Sequence, residues 1–279
     1  MHSLLLLSLI LNLNSTMEAD EMTIALVQKD IIWENKAENL RQYSRILAQL
    51  KDSTDLALLP EMFSTGFSTD PDPLAETMEG NTVGWMKKMA SETGNCIAGS
   101  LIIREESCFY NRAIWCDPSG SLAWYDKRHL FRMAGEEESF SPGFSRTVVK
   151  LREWRICLQV CYDLRFPVWS RNRGDYDLLV YLSNWPAARS DVWNTLLRAR
   201  AIENQCYVAG VNRTGIDGNN IEYQGESMVI DPKGQVLGIS ETARESVTTI
   251  RLSLQGLNEF RAKFPVWKDW DGFRVMSDE

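Results

Sequence analysis

WRICLQVCYDLRFPVWSRNRGDYDLLVYLSNWPAARSDVWNTLLRARAIENQCYVAGVNR, residues 154–213, carries the signal that decides the fold. WRICLQV (154–160) and DLLVYLSN (177–184) are mostly apolar runs of strand length and read as strands. Between them, Pro167 to Asn172 reads as a helical turn. SDVWNTLLRARAIENQ (190–205) then reads as a helix, and CYVAGVNR (206–213) as the next strand. Short apolar runs alternating with longer amphipathic ones are the pattern of an α/β protein.

The same rhythm extends toward the amino end. TIALVQ (23–28) reads as a buried strand. ENKAENLRQYSRILAQLKD follows, with Ala37, Leu40, Tyr43, Ile46, Leu47 and Leu50 at helical spacing and Asn35 and Glu38 as a capping pair. LALLP (56–60) reads as a second strand and Val83 to Thr93 as a helix. NCIAGSLIIR, FYNRAIWCD and SLAWYDK follow as strands, the last two joined antiparallel through the turn Asp117–Pro118–Ser119–Gly120. Toward the carboxyl end, Asp231–Pro232–Lys233–Gly234 joins ESMVI to QVLGI, and a last helix runs from about Leu254 to Lys263. No linker rich in Gly, Pro or Ser divides residues 22–279, which read as a single domain.

Residues 1–21 stand outside this pattern. The apolar stretch Leu4 to Leu13 is too short to span a bilayer. No Lys or Arg precedes it, and no small-x-small cleavage site follows in LNSTMEADEM. The segment reads as a leader or as an artefact of a start codon upstream of Met17 or Met22.

Composition excludes several classes. With 279 residues, 44% apolar and 24% charged, the chain fits a soluble globular protein. A net charge of -8 offers no basic field for nucleic acid. Six cysteines without a C-x-x-C pair read as reduced thiols of a cytoplasmic protein. Only His2 and His129 are present, so no histidine-rich zinc site is expected, and neither metal nor cofactor is called for. No G-x-G-x-x-G or P-loop suggests a nucleotide, and no G-x-S-x-G suggests a serine hydrolase.

Catalytic groups of α/β proteins gather at the carboxyl ends of strands. Glu61 ends LALLPE, Lys127 ends LAWYDK and Cys161 ends RICLQVC. Taken singly, such a cysteine is commonly a small core residue, and such a Glu or Lys a solvated loop charge. Together they make a set. A free thiol is only a few per cent thiolate at neutral pH, so an attacking cysteine needs a base or a neighbouring cation. A carboxylate can take the thiol proton and deliver it to a leaving amine, while an ammonium and a backbone N–H stabilise the oxyanion. A Cys–His pair would have to recruit His129, since His2 lies in the leader, and Glu61 is the better base.

LLPEMFSTGF around Glu61, YDKRHLF around Lys127 and CYDLRFP from Cys161 resemble, in that order, the nitrilase superfamily of carbon-nitrogen hydrolases, and the likeness runs from Met22 to Phe273. The resemblance implies a four-layer α-β-β-α sandwich, a Glu–Lys–Cys triad, and a homodimer packed sandwich against sandwich. It also implies a second glutamate before a T/S-P-G turn. In GEEESFSPG the spacing to Ser141–Pro142–Gly143 selects Glu136, with Glu137 and Glu138 as alternatives and a solvated acidic loop as the bland reading. YDKRHLFRMAGE, CYDLRFPVWSRNR, SNWPAARS, ARAIENQCYVAGVNR and EFRAKFPVW are similar to the omega-amidase branch. That branch hydrolyses the terminal amide of 2-oxo dicarboxylic monoamides, such as 2-oxoglutaramate and 2-oxosuccinamate.

A substrate of that kind needs a cation for its carboxylate, and Arg165, Arg189 and His129 are the candidates. Arg165 reads first as a structural arginine tying the post-cysteine turn to a carboxylate. Tyr162 would lend its backbone N–H to the oxyanion hole. Asn184 and Trp185 would wall the pocket, Trp185 alternatively capping the core, whereas Trp169 and Trp193 read as packing residues. Other readings are a carbamoyl-amide or nitrile hydrolase on the same triad and, from a different class, a silent binding subunit, against which the intact triad argues.

Overall fold

The computed structural model describes residues 20–275. It contains two six-stranded mixed sheets. The first is built from β1 (Glu21–Gln28), β2 (Leu56–Leu58), β3 (Cys96–Glu105), β4 (Cys108–Cys116), β5 (Leu122–Asp126) and β14 (Ser246–Ser253), in the order β14-β1-β2-β3-β4-β5. The second uses β6 (Thr147–Leu151), β7 (Trp154–Val160), β8 (Leu178–Ser183), β9 (Tyr207–Asn212), β12 (Met228–Ile230) and β13 (Val236–Ile239), in the order β13-β12-β9-β8-β7-β6. A separate hairpin pairs β10 (Thr214–Ile216) with β11 (Glu222–Gln224). The central strands are parallel, β1 to β2 to β3 and β7 to β8 to β9, which accounts for their predominantly apolar sequences.

Alternation along the first sheet assigns its two faces. Ile24, Leu26, Leu56, Leu58 and Ala98 join the core shared with Ile156, Leu158, Val180 and Leu182 of the second sheet. Their sequence neighbours Ala25, Val27, Ala57, Leu59 and Ile97 point the other way. They pack on Tyr43 and Leu47 of α1 (Lys36–Gln49) and on Val83 and Met86 of α2 (Asn81–Thr93). The outer face of the second sheet is covered by α3 (Ser190–Asn204) through Trp193, Leu197 and Ala201. The layers are therefore α-β-β-α. A last helix, α4 (Leu254–Lys263), begins where β14 ends, with the Ser253 hydroxyl accepting the Gly256 N–H at 3.0 Å as its cap.

Boundaries shift modestly from those read in the sequence. Asn35 caps α1 by accepting the Glu38 N–H at 3.2 Å, but the Glu38 side chain turns to Arg41 and Gln42 instead of closing the capping box. Glu21 pairs with Ser253 inside β1, so the division expected after residue 21 falls within a strand, and residues 1–19 lie outside the described residues. All six cysteines are free thiols. Among the described residues no helix is long and apolar enough to cross a membrane.

Candidate active site

Three strand ends converge at one end of the sandwich. After β2 the chain stays beside β3, with the Leu59 N–H on the Ala98 carbonyl at 2.7 Å and the Phe63 N–H on that of Ser100 at 3.2 Å, and this holds Glu61 inward with 0% exposure. After β5 the Lys127 N–H bonds the Asn111 carbonyl at 3.0 Å, and the Lys127 carbonyl accepts from the Gly143 N–H at 2.9 Å. That close return explains the glycine of the Ser141–Pro142–Gly143 turn, because a Cβ there would collide with the Asp126 carbonyl oxygen. After β7, Cys161 takes φ 44 and opens a 3-10 turn, Cys161–Arg165. A non-glycine residue in the left-handed region costs on the order of 1–3 kcal/mol and persists only where its surroundings enforce it.

Asp163 supplies that enforcement. Fully buried, it accepts the Val160 N–H at 3.1 Å, the His129 N–H at 3.0 Å and the Tyr125 hydroxyl at 2.8 Å. His129 Nδ1 lies 2.8 Å from the same carboxylate, and its ring stacks on Phe166 with centroids 3.7 Å apart. The structure thus places His129 behind the elbow. It does not line the cavity, and its expected role as a substrate cation is withdrawn.

The floor of the cavity is a buried charge cluster. Lys127 Nζ donates to Glu61 Oε1 at 3.0 Å and to Glu136 Oε1 and Oε2 at 3.0 and 2.8 Å, so of the three candidate glutamates it is Glu136 that meets the lysine. Glu136 also accepts the Phe131 N–H at 2.6 Å. Glu61 Oε2 accepts the Asn184 N–H at 2.8 Å, and the Asn184 side chain donates to the Glu61 carbonyl at 2.5 Å. The Cys161 thiol points at the Asn184 carbonyl, 3.8 Å away.

Burial alone would lower the Lys127 pKa, but Glu136 and Glu61 outweigh it and push it up, so the ammonium is held. Burial and the neighbouring Glu61 carboxylate raise Cys161 well above an ordinary thiol, with Lys127 opposing. The resting sulfur is therefore a thiol, and attack requires that its proton be removed as the bond forms. Burial raises Glu136 as well, Lys127 opposing and Glu61 adding to the rise.

The cavity above this cluster measures about 440 Å³, a size suited to a small molecule. Phe67, Thr69, Phe131 and Met133 form one side, and Asn219, Ile221 and Tyr223 from the β10–β11 hairpin close another. Tyr162, Asn184 and Trp185 also line it. Trp185 is 4% exposed and leans on Trp193, so it serves wall and core together, while Trp169 is buried and Trp193 packs in α3.

Arg165 differs from its first reading. Among the described residues it pairs with no carboxylate. It lies over the Trp185 ring, 5.3 Å from the centroid, and lines the cavity. Arg189, over Phe131 at 5.2 Å, does the same from the opposite segment. Two polar members of the cluster, Ser100 and Asn111, escaped the sequence reading. The available signal was an asparagine set within the apolar strand FYNRAIWC.

A thiol, a carboxylate and a held ammonium facing one cavity are the equipment for acyl transfer. Residues 23–262 match the carbon-nitrogen hydrolase family. The chain is 44% identical over 254 residues to the omega-amidase YafV of Escherichia coli K12, covering 91% of this chain and 98% of that one. It is 35% identical to a 2-oxoglutaramate amidase of Bacillus subtilis, covering 88% and 96%. A CN-hydrolase superfamily protein from Xanthomonas campestris, solved with an arsenic adduct in its active site, superposes with a TM-score of 0.90 at 45% identity, covering 92% and 99%. The chain belongs to the carbon-nitrogen hydrolase family. It is an amidohydrolase with the α-β-β-α sandwich of the nitrilase superfamily.

Proposed function

We propose that this protein is an omega-amidase, releasing ammonia from the terminal amide of 2-oxo dicarboxylic monoamides such as 2-oxoglutaramate and 2-oxosuccinamate through a thioester on Cys161. The observation that carries this reading is the content of the cavity. A thiol, carboxylate and ammonium lie at its floor, and two arginines without carboxylate partners among the described residues lie in its wall. The omega-amidase and 2-oxoglutaramate amidase relatives support the same substrate class.

The steps balance on these groups. Glu61 takes the thiol proton as sulfur bonds to the amide carbon, and the carbonyl electron pair moves onto oxygen, facing the Lys127 ammonium and the Tyr162 N–H at the start of the 3-10 turn. Glu61 then passes its proton to nitrogen, the C–N bond breaks and ammonia leaves. Water attacks the thioester, giving its proton to Glu61 and displacing sulfur, which recovers that proton as the acid departs. Glu136 holds Lys127 in place throughout. Lys127→Ala should lower kcat at least ~100-fold, the usual cost of one oxyanion donor. Steady-state ammonia release checks it, and a loss below tenfold would remove Lys127 from the oxyanion site.

Arg165 and Arg189 are assigned to the substrate carboxylate. Replacing either by Met should raise KM for 2-oxoglutaramate by about 10- to 100-fold, the worth of a charge-assisted hydrogen bond. A neutral amide such as propionamide should be unaffected, and equal losses on both substrates would refute the assignment. A panel of 2-oxoglutaramate, glutamine, an N-carbamoyl amide and a simple nitrile tests the substrate class. Preference for the oxo-amide is expected, whereas equal or better turnover of the carbamoyl amide or nitrile would favour another carbon-nitrogen hydrolase.

A cytoplasmic homodimer is part of the same proposal. Six free thiols support the compartment. Val168 and Ile202, 57% and 51% exposed, support an apolar contact on the side of the second sheet that α3 covers.

A further inference from the structure

Asn111 belongs to the cluster without touching the cavity. Its side chain is fully buried, and its single NH2 group donates to Glu61 Oε1 at 2.8 Å and to Glu136 Oε1 at 3.1 Å, so both hydrogens are spent on carboxylates. Its orientation is enforced. Oδ1 accepts the Ser100 hydroxyl at 2.8 Å, and Ser100 Oγ in turn accepts the N–H of Met62, the residue after Glu61, at 2.8 Å. A flipped amide would set its carbonyl against two carboxylates and its NH2 against a hydroxyl donor. The donor chain from Met62 through Ser100 and Asn111 therefore ends on Glu61 and Glu136.

The two Oε1 atoms that share this amide also share Lys127 Nζ, each at 3.0 Å. Two adjacent carboxylates with one ammonium, out of water, tend to take up a proton and share it. That proton would silence the base. We infer that Asn111 is a positioning residue that keeps Glu61 ionised, by placing an N–H on each carboxylate oxygen where the shared proton would otherwise sit. The inference rests on the proposed role of Glu61 as base. The groups facing Glu61 are Lys127 from the end of β5, Glu136 from the 136–139 turn and Cys161 from the end of β7, with Arg165, Arg189 and Tyr223 on the cavity.

The base works ionised, so activity is lost at low pH, where a protonated carboxyl can no longer accept the thiol proton. Removing an N–H donor from a carboxylate favours its protonated form and moves the acid limb of kcat/KM to higher pH. Asn111→Leu, which keeps the branching at Cγ and removes both N–H groups, should move the limb up by about one to two pH units, with activity recovering toward wild type above it. Ser100→Ala removes the hydroxyl that anchors Oδ1, loosens the amide against the two carboxylates and should move it the same way by less.

Alkylation of Cys161 by iodomethane, followed against pH by mass spectrometry, reads the same limb without any amide, so failure of the omega-amidase reading leaves the test intact. Glu61→Gln is the control, since a limb that survives it belongs to another group and overturns the inference with the base assignment. An acid limb at its wild-type pH in Asn111→Leu, with activity lowered equally at every pH, would make Asn111 merely structural. If Asn111→Leu fails to fold by circular dichroism, Ser100→Ala decides alone, and an unmoved limb there overturns the proposal.

Discussion

Replacing Cys161 by alanine is expected to abolish turnover, with kcat falling by about 10⁶-fold, the scale on which loss of a nucleophile acting with its partners is felt. Among the described residues no second thiol lines the cavity, and no histidine lines it to serve the hydroxyls of Thr69, Tyr162 and Tyr223 as base. The fold should persist. Alanine occupies the left-handed region on the same terms as cysteine, and the missing sulfur opens onto the cavity instead of leaving a closed void. The measurement is ammonia release beside a thermal melt. Retention of even a hundredth of wild-type activity by the folded variant would take the nucleophile elsewhere.

Glu61→Gln should cost about 10⁴-fold in kcat, the upper end for a general base, because one carboxylate handles the proton in both acylation and hydrolysis. The substitution also separates two accounts of the thiol. Glu61 helps to hold the Cys161 pKa up, so removing its charge makes the thiolate easier to form. If thiolate population limited the reaction, the glutamine variant would be faster. If proton removal during attack limits it, as the raised thiol pKa requires, the variant is slow. Glutamine must also set its NH2 against either the Lys127 and Asn111 donors or the Asn184 N–H, so a stability loss of about 1–3 kcal/mol is expected. A melt and a kcat measurement on the same sample check both parts.

What the sequence disclosed followed from burial. Strands covered on both faces, β1, β7, β8 and β9, are predominantly apolar and could be read directly, as could the periodic face of α1. Several strands at or outside the edges could not. β6 is a half-exposed edge, β14 alternates exposed and partly buried residues, and the three-residue β10 and β11 carry too few positions for any period. That hairpin closes the cavity, so the pocket wall was the least legible part of the site.

Glu61, Lys127 and Cys161 stood out because each follows a strand, and the structure brings them to one place. Their relation to Asn111 and Ser100 depends on how β3 and β4 pair, which no local pattern records. His129 and Arg165 show the same limit. Each is a cation near a motif, and only the direction of its chain turn sends the first behind Asp163 and the second into the cavity.

The most direct test of the central claim is turnover of succinamate, which has no keto group to condense with the trap, in the presence of hydroxylamine, following ammonia and hydroxamate together in wild type and Cys161→Ala. A thioester on Cys161 gives ammonia and, by interception, the hydroxamate in wild type and neither in the variant. Ammonia without hydroxamate, undiminished in Cys161→Ala, would mean that water attacks the amide directly and that the thioester account is wrong.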